Sequence, residues 1–281
     1  MNRDDALKMS DQALQELANA LQQGKSEELL TYLDFCSKFH RYSFGNCMLI
    51  ALQFPAAKMV AGFSRWKELG RFVKKGEKGI AILAPILSRA KQKDKDGNEG
   101  EEPEDRKARY LRGFRVVHVF DVSQTEGAEI PDLNQVEGDP GDNIERLERL
   151  VESKGIVLHY EPDLDGAFGM SKGGSISVLE NMPKAQTFAV LVHEFAHELL
   201  HRGDRRSETT KTMRETEAEA VAYIVCRAVG MPSNSSSADY IQLWNGDLPM
   251  LAQSLELIRD VAANIITELE TSVSEEVADA A

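Results

Sequence analysis

The sequence predicts an α+β fold in two successive domains, and three observations predict it. The first 120 residues mix amphipathic repeats at three- and four-residue spacing with short apolar runs of strand type. A stretch dense in turn formers, SQTEGAEIPDLNQVEGDPGD at 123–142, then interrupts the chain. Beyond it, two helical segments that are largely apolar but carry His and Glu follow one another closely. The division that follows is a mixed α/β domain over 1–123, a linker over 124–142 and a second domain over 143–281.

Taken in order, Leu7, Leu14, Leu17, Ala18 and Leu21 recur at helical spacing, so residues 4–23 are expected as an amphipathic helix. Gly24 and Lys25 break it, and 26–53 reads as one or two more helices. KMVAGF (58–63), GIAILAPI (79–86) and YLRGFRVVHVFDV (110–122) have the apolar runs and alternation of strands. Residues 91–107, KQKDKDGNEGEEPEDRK, are nearly devoid of apolar side chains and are expected to form a surface loop or hairpin extension. In the second domain a helix is expected to about Ser153, with short strands at 155–160 and 175–180. The helix from about Lys184 to Arg202 is closed by Gly203, where a C-terminal cap belongs. A polar loop leads to a further helix at 214–230, and after the break SNSSS come one short helix and a long final one.

Composition sets limits. The chain has 281 residues, 42% hydrophobic and 28% charged, which is normal for a globular protein with a sizeable core. No apolar leader opens the sequence and no apolar window is long enough to span a bilayer, so a cytoplasmic protein without a membrane partner is expected. Cys36, Cys47 and Cys226 are odd in number and lack CxxC spacing, which points to buried reduced thiols. The net charge of −13 argues against a polyanionic partner, but residues 58–95 hold eleven basic side chains against three acidic ones, a local charge of +8.

The stretch VLVHEFAHELLHRG (190–203) carries the chemistry. Residues four apart share a helix face, so His193 and His197 can converge on one cation at about 2 Å from each ring nitrogen. Glu194 then stands beside the ion as general base, and the ion expected is Zn2+. His201 sits about 12 Å along a straight helix from His193, too far for all three to meet one ion. A place at the helix end or behind a ligand suits it better. The third donor is sought on the next helix, where Arg214 to Tyr223 carries three glutamates. Glu215 and Glu219 share a face, so Glu215 is assigned as third ligand and Glu219 as the carboxylate that orients a ligand histidine, with Glu217 the competing ligand two residues on. Tyr223 or His201 is a candidate helper for a developing oxyanion.

In the first domain, GFSRWKELGRFVKKGEKGI interleaves aromatic and basic residues, the mixture that grips single-stranded nucleic acid. Phe63, Trp66 and Leu69 lie at helical spacing and read first as core, although Trp66 is kept as a stacking candidate. The candidates for phosphate contact are Arg71, Lys74, Lys75 and Lys78, with Gly76 and Gly79 permitting a tight hairpin; Tyr42 and Asn46 in the RYSFGN turn are added.

The HEFAHELLH helix followed by ETEAEAVAYIV resembles the zinc peptidase domain of ArdC-type antirestriction proteins and is similar to the broader ImmA/IrrE metallopeptidases. Residues 41–86 followed by FRVVHVFDVSQT resemble the N-terminal single-stranded-DNA-binding domain of the same proteins. The resemblance implies a zincin-like metallopeptidase fold behind a DNA-binding domain, two histidines and a following-helix glutamate as metal ligands, and a role in protecting the incoming DNA of a mobile element. Two other readings of the same residues stay open: a DNA-binding protein whose zinc domain is structural and non-catalytic, and a regulatory peptidase that cleaves a repressor-like protein.

Overall fold

The structure, a computed structural model, describes residues 1–89, 109–128, 139–231 and 247–279. The charged stretch 91–107, most of the expected linker, the SNSSS break and the short helix expected after it lie outside the described residues. The helical repeats fold as α1 (Arg3–Gln22), α2 (Ser26–Lys38) and α3 (Phe44–Gln53). Then come β1 (Val60–Gly62), α4 (Phe63–Glu68), β2 (Arg71–Val73), β3 (Ile80–Arg89), β4 (Arg109–Asp121) and, after a 3-10 turn at Val122–Gln124, β5 (Thr125–Gly127). The second half contributes α5 (Asn143–Ser153), β6 (Val157–Glu161), β7 (Gly169–Ser171), β8 (Ser175–Leu179), α6 (Lys184–Leu200), α7 (Arg205–Glu208), α8 (Lys211–Ala228) and α9 (Leu248–Asp279). The fold class is α+β.

These residues form two compact units, Met1–Asp11 with Leu49–Ala128, and Gln12–Met48 with Glu129–Ala281. That differs from a division into 1–123 and 143–281 in two respects. Residues 12–48 cluster with the C-terminal half, where α2 lies against α8. An amphipathic pattern tells that a face is buried, not which element covers it. Within the expected linker, Thr125–Gly127 is a strand paired antiparallel with β2, so this part is built into the first unit.

The first unit is a three-stranded antiparallel sheet, β1-β4-β3, with the two-stranded β2-β5 ladder beside it. Trp66, Ile80, Ala81, Ile82 and Val119 lie in its core. Asp121, 1% exposed, ties the sheet end to its neighbours by accepting from the backbone N–H groups of Lys58 (2.8 Å), Met59 (3.0 Å) and Ser123 (3.0 Å) and from the Ser123 hydroxyl (2.7 Å). Burial pushes its carboxyl pKa up, and these donors more than reverse that, leaving it below the usual range.

In the second unit a mixed sheet, β6-β8-β7, packs on α6, with β6 parallel and the edge strand β7 antiparallel to β8. Helices α8 and α9 and the N-terminal α5 complete the enclosure. Phe188, Leu191, Val192 and Phe195 of α6 and Ala218, Val221 and Val225 of α8 are out of solvent, the apolar body on which a polar stripe can be carried inward. The three cysteines are buried free thiols, and among the described residues no helix is long and apolar enough to cross a membrane.

Candidate metal centre

Helical spacing on α6 brings His193 and His197 together, their Nε2 atoms 3.2 Å apart. From α8, one Glu215 oxygen lies 3.5 Å from His193 Nε2 and 3.4 Å from His197 Nε2. A tetrahedral ion bound at about 2.0–2.1 Å demands donor separations of about 3.3–3.4 Å, so the triangle has the size of one face of such a site, with the nitrogen and carboxylate donors that zinc takes. This group is capable of holding a metal ion among the described residues. Two glutamates settle around it differently. Glu219, one turn beyond Glu215, lies 3.5 Å from His193 Nδ1, on the far side of the ring from the triangle. Glu217 faces the other way and is fully buried, 2.8 Å from His201 Nε2 and paired with Arg205. Burial pushes the His193 pKa down, but the Glu215 and Glu219 carboxylates outweigh it and raise it to about 9. The same two histidines hold Glu215 well below its usual value.

His201 caps the C-terminal end of α6 and stands behind His197, with the two Nδ1 atoms 3.0 Å apart. When His197 presents Nε2 to the triangle as an acceptor, its proton is on Nδ1 and is donated to His201 Nδ1. His201 then carries its own proton on Nε2 and donates it to Glu217. One line of hydrogen bonds thus runs from a ligand ring to a buried, Arg205-paired carboxylate.

Glu194 is 9% exposed at the side of this centre, and burial raises its pKa. Space for it is made by Gly169 on β7. A Cβ there would sit 2.6 Å from Val190 Cγ1 and 2.7 Å from Glu194 Cγ, so only glycine lets the strand lie this close to α6. The strand is held by Glu198, whose carboxylate accepts from the Ser171 hydroxyl (2.6 Å), from Gly173 N–H (2.7 Å) and Gly174 N–H (2.8 Å), and from Arg202. Glu198 and Gly169 escape a reading of the sequence. A charged residue on an apolar helix and a Gly-Gly pair are the available signals, but nothing local joins them. A cavity of about 880 Å3 opens from His193, Glu194 and Glu219 between α6, α8 and the start of β7.

Tyr223 lines that cavity, but its hydroxyl donates to Asp34 of α2 at 2.9 Å, beside Arg227. This corrects its expected role as an oxyanion helper, because the donor is committed elsewhere. The nucleic-acid candidates divide in the same manner. Trp66 is fully buried, its indole N–H bonded to the Phe120 carbonyl at 2.8 Å, so it cannot stack on a base. The Arg71 guanidinium is spent on β5, on the Thr125 hydroxyl and carbonyl and the Ala128 carbonyl, and holds the strand where Gly127 crosses Gly70 too closely for any side chain. Asn46 is buried and Tyr42 half-buried against Phe39, and both belong to the other unit. Lys74, Lys75 and Lys78 are exposed on the turn from β2 to β3, with Lys74 Nζ donating to the Ser123 carbonyl. Phe63 at 58% and Phe72 at 54% exposure stand out of the core. A six-residue helix buries one side only, and Trp66 occupies that side of α4.

Two imidazoles one turn apart, a glutamate between them, and a third donor from the next helix define a protein of the HExxH metal-site class. Comparison with known proteins carries this further. Residues 8–117 match the family described as the N-terminal domain of anti-restriction factor ArdC. The crystal structure of antirestriction protein ArdC from the R388 plasmid in its Mn(II)-bound form shares its fold, with a TM-score of 0.50 and 18% identity over 93% of this chain and 97% of that one. The metal-free form superposes with a TM-score of 0.45 and 20% identity over 82% and 84% of the two chains. Uncharacterized protein pXO2-81 of Bacillus anthracis is 25% identical over 89% of this chain, which spans about half (49%) of that relative's length.

Proposed function

We propose that this chain is an antirestriction factor in which the first unit holds single-stranded DNA and the second is a divalent-metal peptidase, with Zn2+ the ion expected in a site of two imidazoles and a carboxylate. The observation that carries the peptidase reading is the triangle of His193, His197 and Glu215 with the buried Glu194 carboxylate at its side and a substrate-sized cavity before it. An ion held there supplies Lewis acidity, polarising a carbonyl and making water acidic enough to lose a proton near neutral pH. Glu194 takes that proton as the water oxygen adds to the peptide carbon. It returns it to the leaving nitrogen as the C–N bond breaks. Glu219 and His201 keep the two rings turned toward the triangle. Edge strand β7, with one side unpaired among the described residues, offers backbone groups along which an extended peptide can lie. The DNA reading is supported by exposed Lys74, Lys75 and Lys78 near exposed Phe72 in sequence.

Glu194→Gln tests the chemistry apart from the scaffold. The amide keeps the volume but cannot accept the proton, so metal content and DNA binding should stay at parental levels while peptide hydrolysis falls about 10²- to 10⁴-fold. Hydrolysis that survives this change would remove Glu194 from the role given to it. A parent that holds metal but cleaves no peptide would leave the second unit as a structural metal module.

A further inference from the structure

The cavity beside the metal centre has a composition that the peptidase reading does not require. Its two helical walls are made of small residues at one face of each helix: Ala185 and Ala189 step away from His193 along α6, and Ala222 and Cys226 step away from Glu219 along α8. Phe168 and Met231 add apolar surface to the lining. Eight residues of α6 and seven of α8 carry these walls about 10–12 Å from the centre, deeper than the centre itself needs. Among the described residues, beyond the centre only Gln186 and Tyr223 contribute amide or hydroxyl groups to the lining, and the Tyr223 hydroxyl is held by Asp34. Burial raises the Cys226 thiol to about 12, so that wall is neutral. No Lys or Arg is among the described residues that line the cavity, whereas the carboxylates of Glu194 and Glu219 stand at its inner end.

We propose that this cavity is a specificity pocket for a bulky, uncharged apolar side chain of the substrate, aliphatic or aromatic, placed next to the scissile bond. The proposal rests on the peptidase reading and names its substrate class. A volume of about 880 Å3 falls within the range of sites that take up a small ligand. The alanines leave room that a Leu or Phe side chain fills, with release of water from apolar walls on both sides. An acidic side chain entering the same space meets two carboxylates and no cation. A basic one could pair with those carboxylates only beside the centre; farther along the cavity its charge would lie against Ala and Met without a partner.

The test uses the full chain loaded with Zn2+ and four peptidyl hydroxamates alike except for the substituent beside the hydroxamate: hydrogen, isobutyl, benzyl or carboxymethyl. Binding is read by titration calorimetry, independently of turnover. The isobutyl and benzyl compounds should bind about 10- to 100-fold more tightly than the hydrogen compound, the value of burying such a side chain, and the carboxymethyl compound should bind most weakly. Ala189→Phe should abolish the preference for large substituents and leave the hydrogen compound unchanged. Should that variant melt at a lower temperature than the parent, Ala185→Phe, nearer the start of α6, replaces it. Equal affinities for all four compounds, or tightest binding of the carboxymethyl one, would overturn the pocket assignment while leaving the metal site standing. A chain that takes up no Zn2+ would overturn the reading beneath it.

Discussion

Around the metal centre, charge is buried and paired: the Glu217 and His201 side chains are fully out of solvent and Glu198 is 2% exposed, each with named partners. Around the turn from β2 to β3, by contrast, Lys74, Lys75 and Lys78 stand in water. The two arrangements respond to perturbation in opposite ways. A buried charge has lost its hydration and depends on a few partners, so removing one partner strands the rest. An exposed cation has given up almost nothing, contributes little to folding, and acts at a distance that salt shortens. The second unit should therefore fail by unfolding or losing its metal, and the first by losing a ligand while staying folded.

The sharpest way to break this contrast is at Glu217. Glu217→Ala leaves Arg205 and His201 without their shared acceptor, and stability should fall by about 3–5 kcal/mol in denaturant unfolding. Because His201 then no longer fixes the orientation of His197, metal affinity should drop about 10- to 100-fold in chelator competition. Glu217→Gln, which keeps an acceptor for His201 but not the charge facing Arg205, should be milder in both measurements. Metal affinity untouched by either change would show that the line from His197 to Glu217 braces the fold without tuning the centre.

Asp121 is the buried carboxylate of the first unit and gives an intermediate effect. Asp121→Asn keeps one acceptor oxygen for donors that now engage two, and should cost about 1–3 kcal/mol. Since the folded pKa of Asp121 is depressed, its contribution is complete above the unfolded value of about 3.9 and is lost as pH falls through the lower folded value. The chain has two tryptophans, so in a Trp244→Phe background Trp66 reports on the first unit alone. Unfolding followed at Trp66 should show parental stability falling below about pH 4, with a shallower fall in Asp121→Asn. Parallel pH curves would mean that another carboxylate sets the acid limit of this unit.

What can be read in advance follows the same division. His193, Glu194, His197, Glu215 and Glu219 are legible because helix geometry fixes where residues four apart point, before any tertiary contact is known. Glu198 is not: the groups it holds lie 24 to 27 residues earlier in the chain, across the β7–β8 turn. Strand β7 itself is three residues long inside a turn-rich stretch. Arg71 looks like a phosphate ligand because its neighbours are basic, yet its partners are Thr125 and Ala128, more than fifty residues on. Helical spacing of Phe63 and Trp66 suggests a shared core, whereas α4 buries one and exposes the other. Surfaces made by strands and turns depend on partners that periodicity does not name, and the attachment of residues 12–48 to the second unit is the largest instance.

The smallest effect on folding should come from the lysines, and there the contrast is most finely resolved. Changing Lys74, Lys75 and Lys78 together to glutamate should move the melting temperature of the first unit very little, within about 0.5 kcal/mol of stability. Affinity for a labelled single-stranded oligonucleotide should nevertheless fall, and the slope of log affinity against log salt should flatten by about 2, near 0.7 for each phosphate that is no longer neutralised. Lys74, whose ammonium already donates to Ser123, should account for less of that change than Lys75 or Lys78. Phe72→Ala provides the complementary measurement, because a base stacked on that exposed ring contributes about 1–3 kcal/mol without releasing counterions. Its affinity should drop by the same factor at every salt concentration, with the slope preserved. A triple lysine variant whose slope equals the parent's, in fluorescence anisotropy across a salt series, would move the DNA-binding surface away from the β2–β3 turn; a Phe72 variant that binds as the parent does would leave that surface purely electrostatic.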